Sequence, residues 1–148
     1  MPTLHVFKCA ERIEAVSAAL YAALAKQFAG DAAARALFAR LEQEELQHAA
    51  RVRLLASRYR SDRTLLERFE GAEALGACLR DAEQALSEVL QGAWGDDLVA
   101  VKARAAELEA RLGRAHAHIV AREGHPALRE FFEQLALQDD AHLDLLRS

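Results

Sequence analysis

Two polar residues, Glu45 and His48, interrupt an apolar helical stripe near the middle of the chain. Positions separated alternately by three and four residues lie along one face of a helix. The stripe consists of Phe38, Leu41, Glu45, His48, Val52 and Leu55. A buried carboxylate or imidazole needs a partner, because an unpaired buried charge is very costly. Alone, the Glu-x-x-His spacing favours a hydrogen-bonded core histidine over a metal ligand.

A second copy of this pattern changes the balance toward metal binding. Residues 124–142 repeat residues 30–48 at a shift of 94 positions, the separation of His48 and His142. The identical pairs are Gly30/Gly124, Ala33/Ala127, Arg35/Arg129, Phe38/Phe132, Leu41/Leu135 and His48/His142. The second stripe runs through Leu128, Phe132, Leu135, Asp139, His142 and Leu146. An internal repeat of this kind sets the architecture, so we expect two related halves.

Each half also carries a carboxylate on the helix that precedes its repeat. Glu14 lies at the core edge of an apolar surface, and Glu109 shares a stripe with apolar residues. Glu107 lies on a polar stripe instead, and the same test separates Asp139 from the water-facing Asp140. Around Glu45, the residues expected to stay in water are Glu42, Gln43, Glu44 and Gln47.

These positions predict a cluster of four carboxylates and two imidazoles, formed by Glu14, Glu45, His48, Glu109, Asp139 and His142. Two divalent cations would balance four negative charges, and carboxylate with imidazole suits iron or manganese. Without a metal, the clustered carboxylates would have to take up protons or repel one another. The alternative is a metal-free core in which these groups pair with arginines or with each other.

The composition indicates a single all-α domain. The chain has 148 residues, 52% of them hydrophobic, with only two prolines and seven glycines. Its net charge of −4 gives no reason to expect nucleic acid as a partner. No apolar run approaches the roughly 18 residues of a membrane span, and no export signal is visible, so a cytoplasmic location is expected. Cys9 and Cys78 are isolated and are expected to be reduced thiols.

The chain divides into two helix pairs joined by a crossover. One pair occupies about 10–58, the crossover about 59–97, and the second pair about 98–147. The predicted helices are 10–29, 32–58, 72–91, 98–123 and 127–146, with residues 1–8 as a loose lead-in. Ser61 and Asp62 end the second helix, and Asp31 and either Asp96 or Asp97 provide N-caps. Short turns make each pair antiparallel, and the two pairs are expected to form a four-helix bundle with an additional crossover helix.

The order Glu, Glu-x-x-His, Glu, Asp-x-x-His resembles the ferritin-like superfamily of di-iron carboxylate proteins, and the rubrerythrins most of all. The resemblance covers about residues 10–58 and 98–147. It implies a ferritin-like bundle holding two iron ions, or manganese, at the six residues of the predicted cluster. It further implies an oxidoreductase that oxidises Fe(II) or reduces dioxygen or hydrogen peroxide. Tyr21 matches a tyrosine that the family places near the metals. The resemblance implies a catalytic role for it, either to hydrogen-bond a ligand carboxylate or to supply one electron, and the alternative is an ordinary core aromatic.

The sequence also departs from the family pattern. Asp139 replaces the usual glutamate and is one methylene shorter. His116, seven residues after Glu109 as Tyr21 is after Glu14, is an extra ligand or, preferably, a core histidine. The chain has no Cys-x-x-Cys pair of the rubredoxin type, so electrons would come from a separate donor.

Two other functions remain open at this point. One is a ferritin-like metal-binding or protein-interaction module without redox turnover. A homodimer is compatible with this module and with the oxidoreductase. The other is hydroxylation of a substrate, which needs an apolar pocket beside the metals.

Overall fold

The computed structural model describes residues 2–59, 69 and 71–148, with side chains from residue 6 onward. This part of the chain forms five α-helices and contains no β-strand. They are α1 (Pro2–Gln27), α2 (Ala32–Tyr59), α3 (Ala72–Leu90), α4 (Leu98–Arg122) and α5 (Pro126–Arg147). The predicted all-α class is confirmed, and α2 to α5 begin and end within one residue of the predicted bounds.

The first helix starts earlier than predicted. Residues 2–8, which belong to the segment expected as a loose lead-in, are part of α1. Val6, Phe7, Ala10 and Ile13 are buried there and extend the apolar face toward the N-terminus. Proline is tolerated in the first turn of a helix, because its missing N–H would have no partner inside the helix. Burial of this extra turn explains why the helix continues through a stretch with few local signals.

Helices α1 and α2 form an antiparallel pair. The start of α1 meets the end of α2, where Arg53 Nη1 lies 3.1 Å from Glu11 Oε1. Further along, the rings of Tyr21 and Phe38 stack with their centroids 6.3 Å apart. The turn between the helices is short, and the backbone N–H of Ala34 donates to Asp31 Oδ1 at 3.1 Å. Asp31 therefore caps α2 as predicted.

Helices α4 and α5 form a second antiparallel pair. Lys102 Nζ, near the start of α4, donates to the carbonyl oxygen of Ser148 at 3.0 Å. Asp97 caps α4 by accepting from the backbone N–H of Val99. The imidazole of His125 caps α5 in the same way, accepting from the backbone N–H of Ala127 at 3.2 Å. Each half of the chain is thus a helical hairpin.

Helix α3 lies within the crossover, as predicted, and packs against α1 and α4. Its apolar side, which includes Leu75 and Cys78, is buried. The turn that follows α3 contains Gly92 and Gly95, whose positive φ angles of 75° and 76° suit glycine. Ser61 and Asp62, predicted to end α2, lie outside the described residues. Among the described helices, none is long and apolar enough to cross a membrane.

Candidate metal centre

All six residues of the predicted cluster are buried, with exposed fractions of 6% or less: Glu14, Glu45, His48, Glu109, Asp139 and His142. They come from α1, α2, α4 and α5, so both hairpins contribute. The face assignments made from periodicity are confirmed for the neighbours, since Glu107, Asp140 and Gln47 are exposed. Heptad-like spacing therefore identified which acidic residues of each helix turn inward.

The first group of candidate ligands is formed by the α1–α2 hairpin. Glu14, Glu45 and His48 each offer one ligand atom, and these atoms lie within 4.8 Å of one another. His48 Nδ1 is 3.6 Å from Glu14 Oε2 and 3.9 Å from Glu45 Oε1. These separations exceed good hydrogen-bond distances, and they leave space for a cation among the three side chains.

The second group joins the two hairpins. Glu45, Glu109 and His142 also place one ligand atom each within 4.8 Å of one another. His142 Nδ1 is 2.8 Å from Glu45 Oε1 and 3.4 Å from Glu109 Oε1. The imidazole rings of His48 and His142 stack with their centroids 5.5 Å apart. Glu45 therefore belongs to both groups and lies between the two histidines.

Asp139 occupies the buried position predicted for it, but its nearest polar partner is His116. His116 Nδ1 lies 2.6 Å from Asp139 Oδ2, and both side chains are buried. Asp139 is in neither of the two ligand groups. The close approach of its helix is eased by Gly113, where an added Cβ would lie 3.4 Å from the Asp139 Cβ. His116 thus acts here as a buried partner for a carboxylate, in line with the preferred interpretation of a core histidine.

Tyr21 connects the first hairpin to the second. Its buried hydroxyl donates a hydrogen bond of 2.6 Å to Glu109 Oε1. Burial, followed by the nearby charge of Glu109, raises the Tyr21 pKa well above its usual value. The phenol is therefore a donor at neutral pH, and it fixes the orientation of the Glu109 carboxylate.

Glu44 was predicted to stay in water, and this prediction is wrong for one of its oxygens. Glu44 Oε2 is buried and lies 3.4 Å from His142 Nε2, while the side chain as a whole is about one-third exposed. The residue lies three positions after Leu41 and four before His48, beside the apolar stripe. That spacing was a usable signal, but only the approach of α5 brings His142 to this side of α2.

Burial controls the electrostatics of the first hairpin. It raises the Glu45 pKa well above the usual range, and the charge of Glu14 raises it further. For Glu14, burial is again the largest effect, but interactions with Glu45 and with the imidazoles of His48 and His116 outweigh it and lower the pKa. The two carboxyl groups therefore differ in protonation, which is how paired buried acids avoid repulsion.

The second hairpin shows the same conflict between burial and charge. Burial raises the Asp139 pKa to about 7, although the bond from His116 acts in the opposite direction. Burial alone would lower the His142 pKa, but interaction with Glu109 outweighs it and the pKa is raised. Protons held by groups with raised pKa values thus offset part of the negative charge of the cluster.

Several polar atoms of the cluster have no hydrogen-bond partner among the described residues. They are Glu44 Oε2, Glu109 Oε2 and His142 Nδ1. His142 Nδ1 is close to Glu45 Oε1, but the angle does not suit a hydrogen bond. Buried groups left this way are costly, and a cation between them would satisfy them. Carboxylate oxygens and imidazole nitrogens are the ligands that iron and manganese accept, so the residues fit a pair of such ions.

Comparison of the chain with protein-family models, with curated proteins and with solved structures gives no match. The interpretation of the cluster therefore rests on its own geometry and donor chemistry.

Proposed function

We propose that the protein is a ferritin-like di-iron oxidoreductase, which oxidises Fe(II) or reduces hydrogen peroxide or dioxygen. The observation that carries the proposal is the position of Glu45 in two buried groups of candidate ligands. A carboxylate shared in this way is suited to bridge two ions. In this proposal α1, α2, α4 and α5 form the four-helix bundle, and α3 is the additional crossover helix.

The first ion would be held by Glu14, Glu45 and His48, and the second by Glu45, Glu109 and His142. Bound iron supplies one-electron chemistry at each ion, so that a pair can deliver two electrons to one oxidant. Buried apolar residues on the same helical stripes, among them Leu41, Val52 and Leu135, flank the candidate ligands. Manganese is the alternative metal, because it accepts the same ligands.

Other residues of the chain hold the ligands in place. The Tyr21 hydroxyl donates a hydrogen bond to Glu109 Oε1 and holds that carboxylate in its orientation. His116 contacts Asp139, which is in neither ligand group, through a hydrogen bond of 2.6 Å. Burial and the charge of Glu14 raise the Glu45 pKa, so this carboxyl group would release its proton when a metal ion binds. Electrons for repeated turnover would come from a separate donor protein.

The bond between His116 and Asp139 favours a second candidate function. It leaves three carboxylates in the two ligand groups where four were predicted, and a single ion needs no more. On this alternative, the protein is a ferritin-like metal-binding module without redox turnover. The two functions differ in metal stoichiometry and in reaction with oxidants.

Metal analysis tests both. Protein loaded anaerobically with Fe(II) should hold two ions per chain and oxidise rapidly when mixed with peroxide or dioxygen in a stopped-flow instrument. The Glu45→Ala and Glu109→Ala variants should lose most of the iron and the rapid oxidation. Their matched controls are Gln47→Ala and Glu107→Ala, which alter exposed positions on the same helices.

The outcomes separate the candidates. One ion per chain with oxidation no faster than in Glu45→Ala would replace the oxidoreductase by the metal-binding module. Equal iron content in all four variants and the wild type would exclude the cluster as a metal site. Iron loss in Glu107→Ala but not in Glu109→Ala would show that the assigned face of α4 is wrong.

A further inference from the structure

A cavity of about 280 Å³ lies between the second half of α2 and the first half of α5. We call it the α2–α5 cavity. His48, one of the candidate ligands, is among its lining residues, so the cavity reaches the metal cluster at its inner end. A larger cavity of about 630 Å³ beside the end of α5 contains none of the cluster residues. The α2–α5 cavity therefore gives a molecule a route to the candidate ligand His48.

The size of this cavity exceeds what the proposed oxidants need. One water molecule occupies about 30 Å³ in the liquid, and dioxygen or peroxide is not much larger. Binding pockets for small organic molecules start near 300 Å³, which the α2–α5 cavity approaches. The walls are mostly apolar and include Leu55, Phe131 and Leu135. An apolar space of this volume suits the hydrocarbon part of an organic molecule.

The charged residues of the cavity indicate the polar part of that molecule. Arg51 follows His48 by three residues, lies on the same side of α2, and lines the cavity with an exposed side chain. Arg58 and Glu130 also line the cavity and carry opposite charges. The Cζ atom of Arg58 lies 5.7 Å from the centroid of the Tyr59 ring, so this guanidinium already has an aromatic partner. Within the part of the chain that the structure describes, no acidic side chain forms an ion pair with Arg51. A guanidinium in this position is suited to bind a carboxylate through two parallel hydrogen bonds.

We infer that the α2–α5 cavity binds a small amphipathic carboxylic acid, with the carboxylate on Arg51 and the apolar body against Leu55, Phe131 and Leu135. The ligand would then lie next to His48 and within reach of the metal cluster. This site goes beyond the proposed function, because it requires neither bound iron nor redox activity. It supplies the apolar pocket beside the cluster that a reaction on an organic substrate would need.

The test is calorimetric titration of the full chain with 3-phenylpropionate, in metal-free and manganese-loaded protein. We expect binding in both states, and binding weaker by roughly tenfold in Arg51→Gln, because a charge-assisted bond is lost. The neutral analogue 3-phenylpropanol should bind wild type and Arg51→Gln equally. The matched control is Arg53→Gln, which removes an exposed arginine that pairs with Glu11 outside the cavity. Arg51 is exposed, so the variant should melt like wild type.

Several results would overturn the inference. Absence of binding to wild type would do so, as would equal affinity of wild type and Arg51→Gln for the acid. Equal affinity for propionate, which lacks the ring, would show that the apolar walls contribute nothing. Binding that needs manganese and survives Arg51→Gln would place the carboxylate on the metal instead. Because manganese content is measured separately, failure of the metal site and failure of the acid site are distinguishable.

Discussion

Replacing Tyr21 by phenylalanine tests the contact that joins the two hairpins at the cluster. The tyrosine is 0% exposed, Glu109 is 1% exposed, and their hydrogen bond is 2.6 Å long. A hydrogen bond to a charged partner contributes about 1.5–3 kcal/mol, and no water can replace a donor at this depth. The variant should therefore lower the free energy of unfolding by about 2 kcal/mol. For a chain of this size that corresponds to a drop in Tm of roughly 4–8 °C.

The assay is urea unfolding of metal-free protein, followed by circular dichroism, with the Tm as a second measurement. The slope of unfolding free energy against urea should not change, since the surface exposed on unfolding is nearly the same. Tyr59→Phe is the matched control. Its hydroxyl makes no hydrogen bond with any described residue, so its effect should stay within about 0.5 kcal/mol. Equal stability of Tyr21→Phe and Tyr59→Phe would refute the reasoning and the contact behind it.

Three further predictions concern protonation, packing and thiol reactivity. In protein treated with a chelator, the unfolding free energy should fall between about pH 4.5 and pH 8, because the folded-state pKa values of Glu45 and Asp139 are raised, the latter from 3.8 to about 7. In this pH range the folded state holds protons that the unfolded chain has released, so the unfolding free energy decreases as the pH rises. Urea unfolding at several pH values measures this dependence. An unfolding free energy that increases with pH would contradict the prediction. Gly113→Ala should raise the unfolding free energy by up to about 1 kcal/mol, because alanine favours helix and its Cβ would only touch Asp139. Gly113→Leu should lower the unfolding free energy, because the larger side chain would force α5 away from α4. Urea unfolding of both variants measures the two changes. Burial and the charge of Asp81 raise the Cys78 pKa to about 11. Iodoacetamide at pH 8 should therefore modify the half-buried Cys9 before the buried Cys78. Equal modification rates of the two thiols in the folded protein would show that Cys78 is accessible.

Periodicity and the internal repeat were sufficient to find the inward-facing groups. They placed Glu45 and His48 on one buried stripe, and they separated Glu109 from Glu107, because helical spacing alone decides which residues share a face. Capping by Asp31 and Asp97 was equally predictable, since a short acidic side chain before an apolar run satisfies the first backbone N–H groups.

Contacts between helices could not be predicted in the same way. The bond between His116 and Asp139, and the approach of Glu44 to His142, depend on the distance between packed helices and on the rotation of each helix about its axis. The start of α1 at Pro2 depends on burial against the rest of the fold, which local propensity does not encode. The α2–α5 cavity is likewise a property of packing, because its walls are residues that periodicity assigns simply to apolar faces.

Tyr21 and His116 occupy equivalent positions in the two hairpins but make different contacts, which is possible because both hairpins belong to one polypeptide. Tyr21 follows Glu14 by seven residues, and His116 follows Glu109 by seven, so the two are equivalent in the repeat. Tyr21 nevertheless reaches across to Glu109, whereas His116 stays within its own hairpin and binds Asp139. In a symmetric dimer of a single hairpin, every such contact would occur twice, and a substitution would change both copies together. Because the two hairpins are joined in one chain, a substitution in one hairpin leaves the other unchanged. The residues that contact the cluster can therefore differ between the two hairpins.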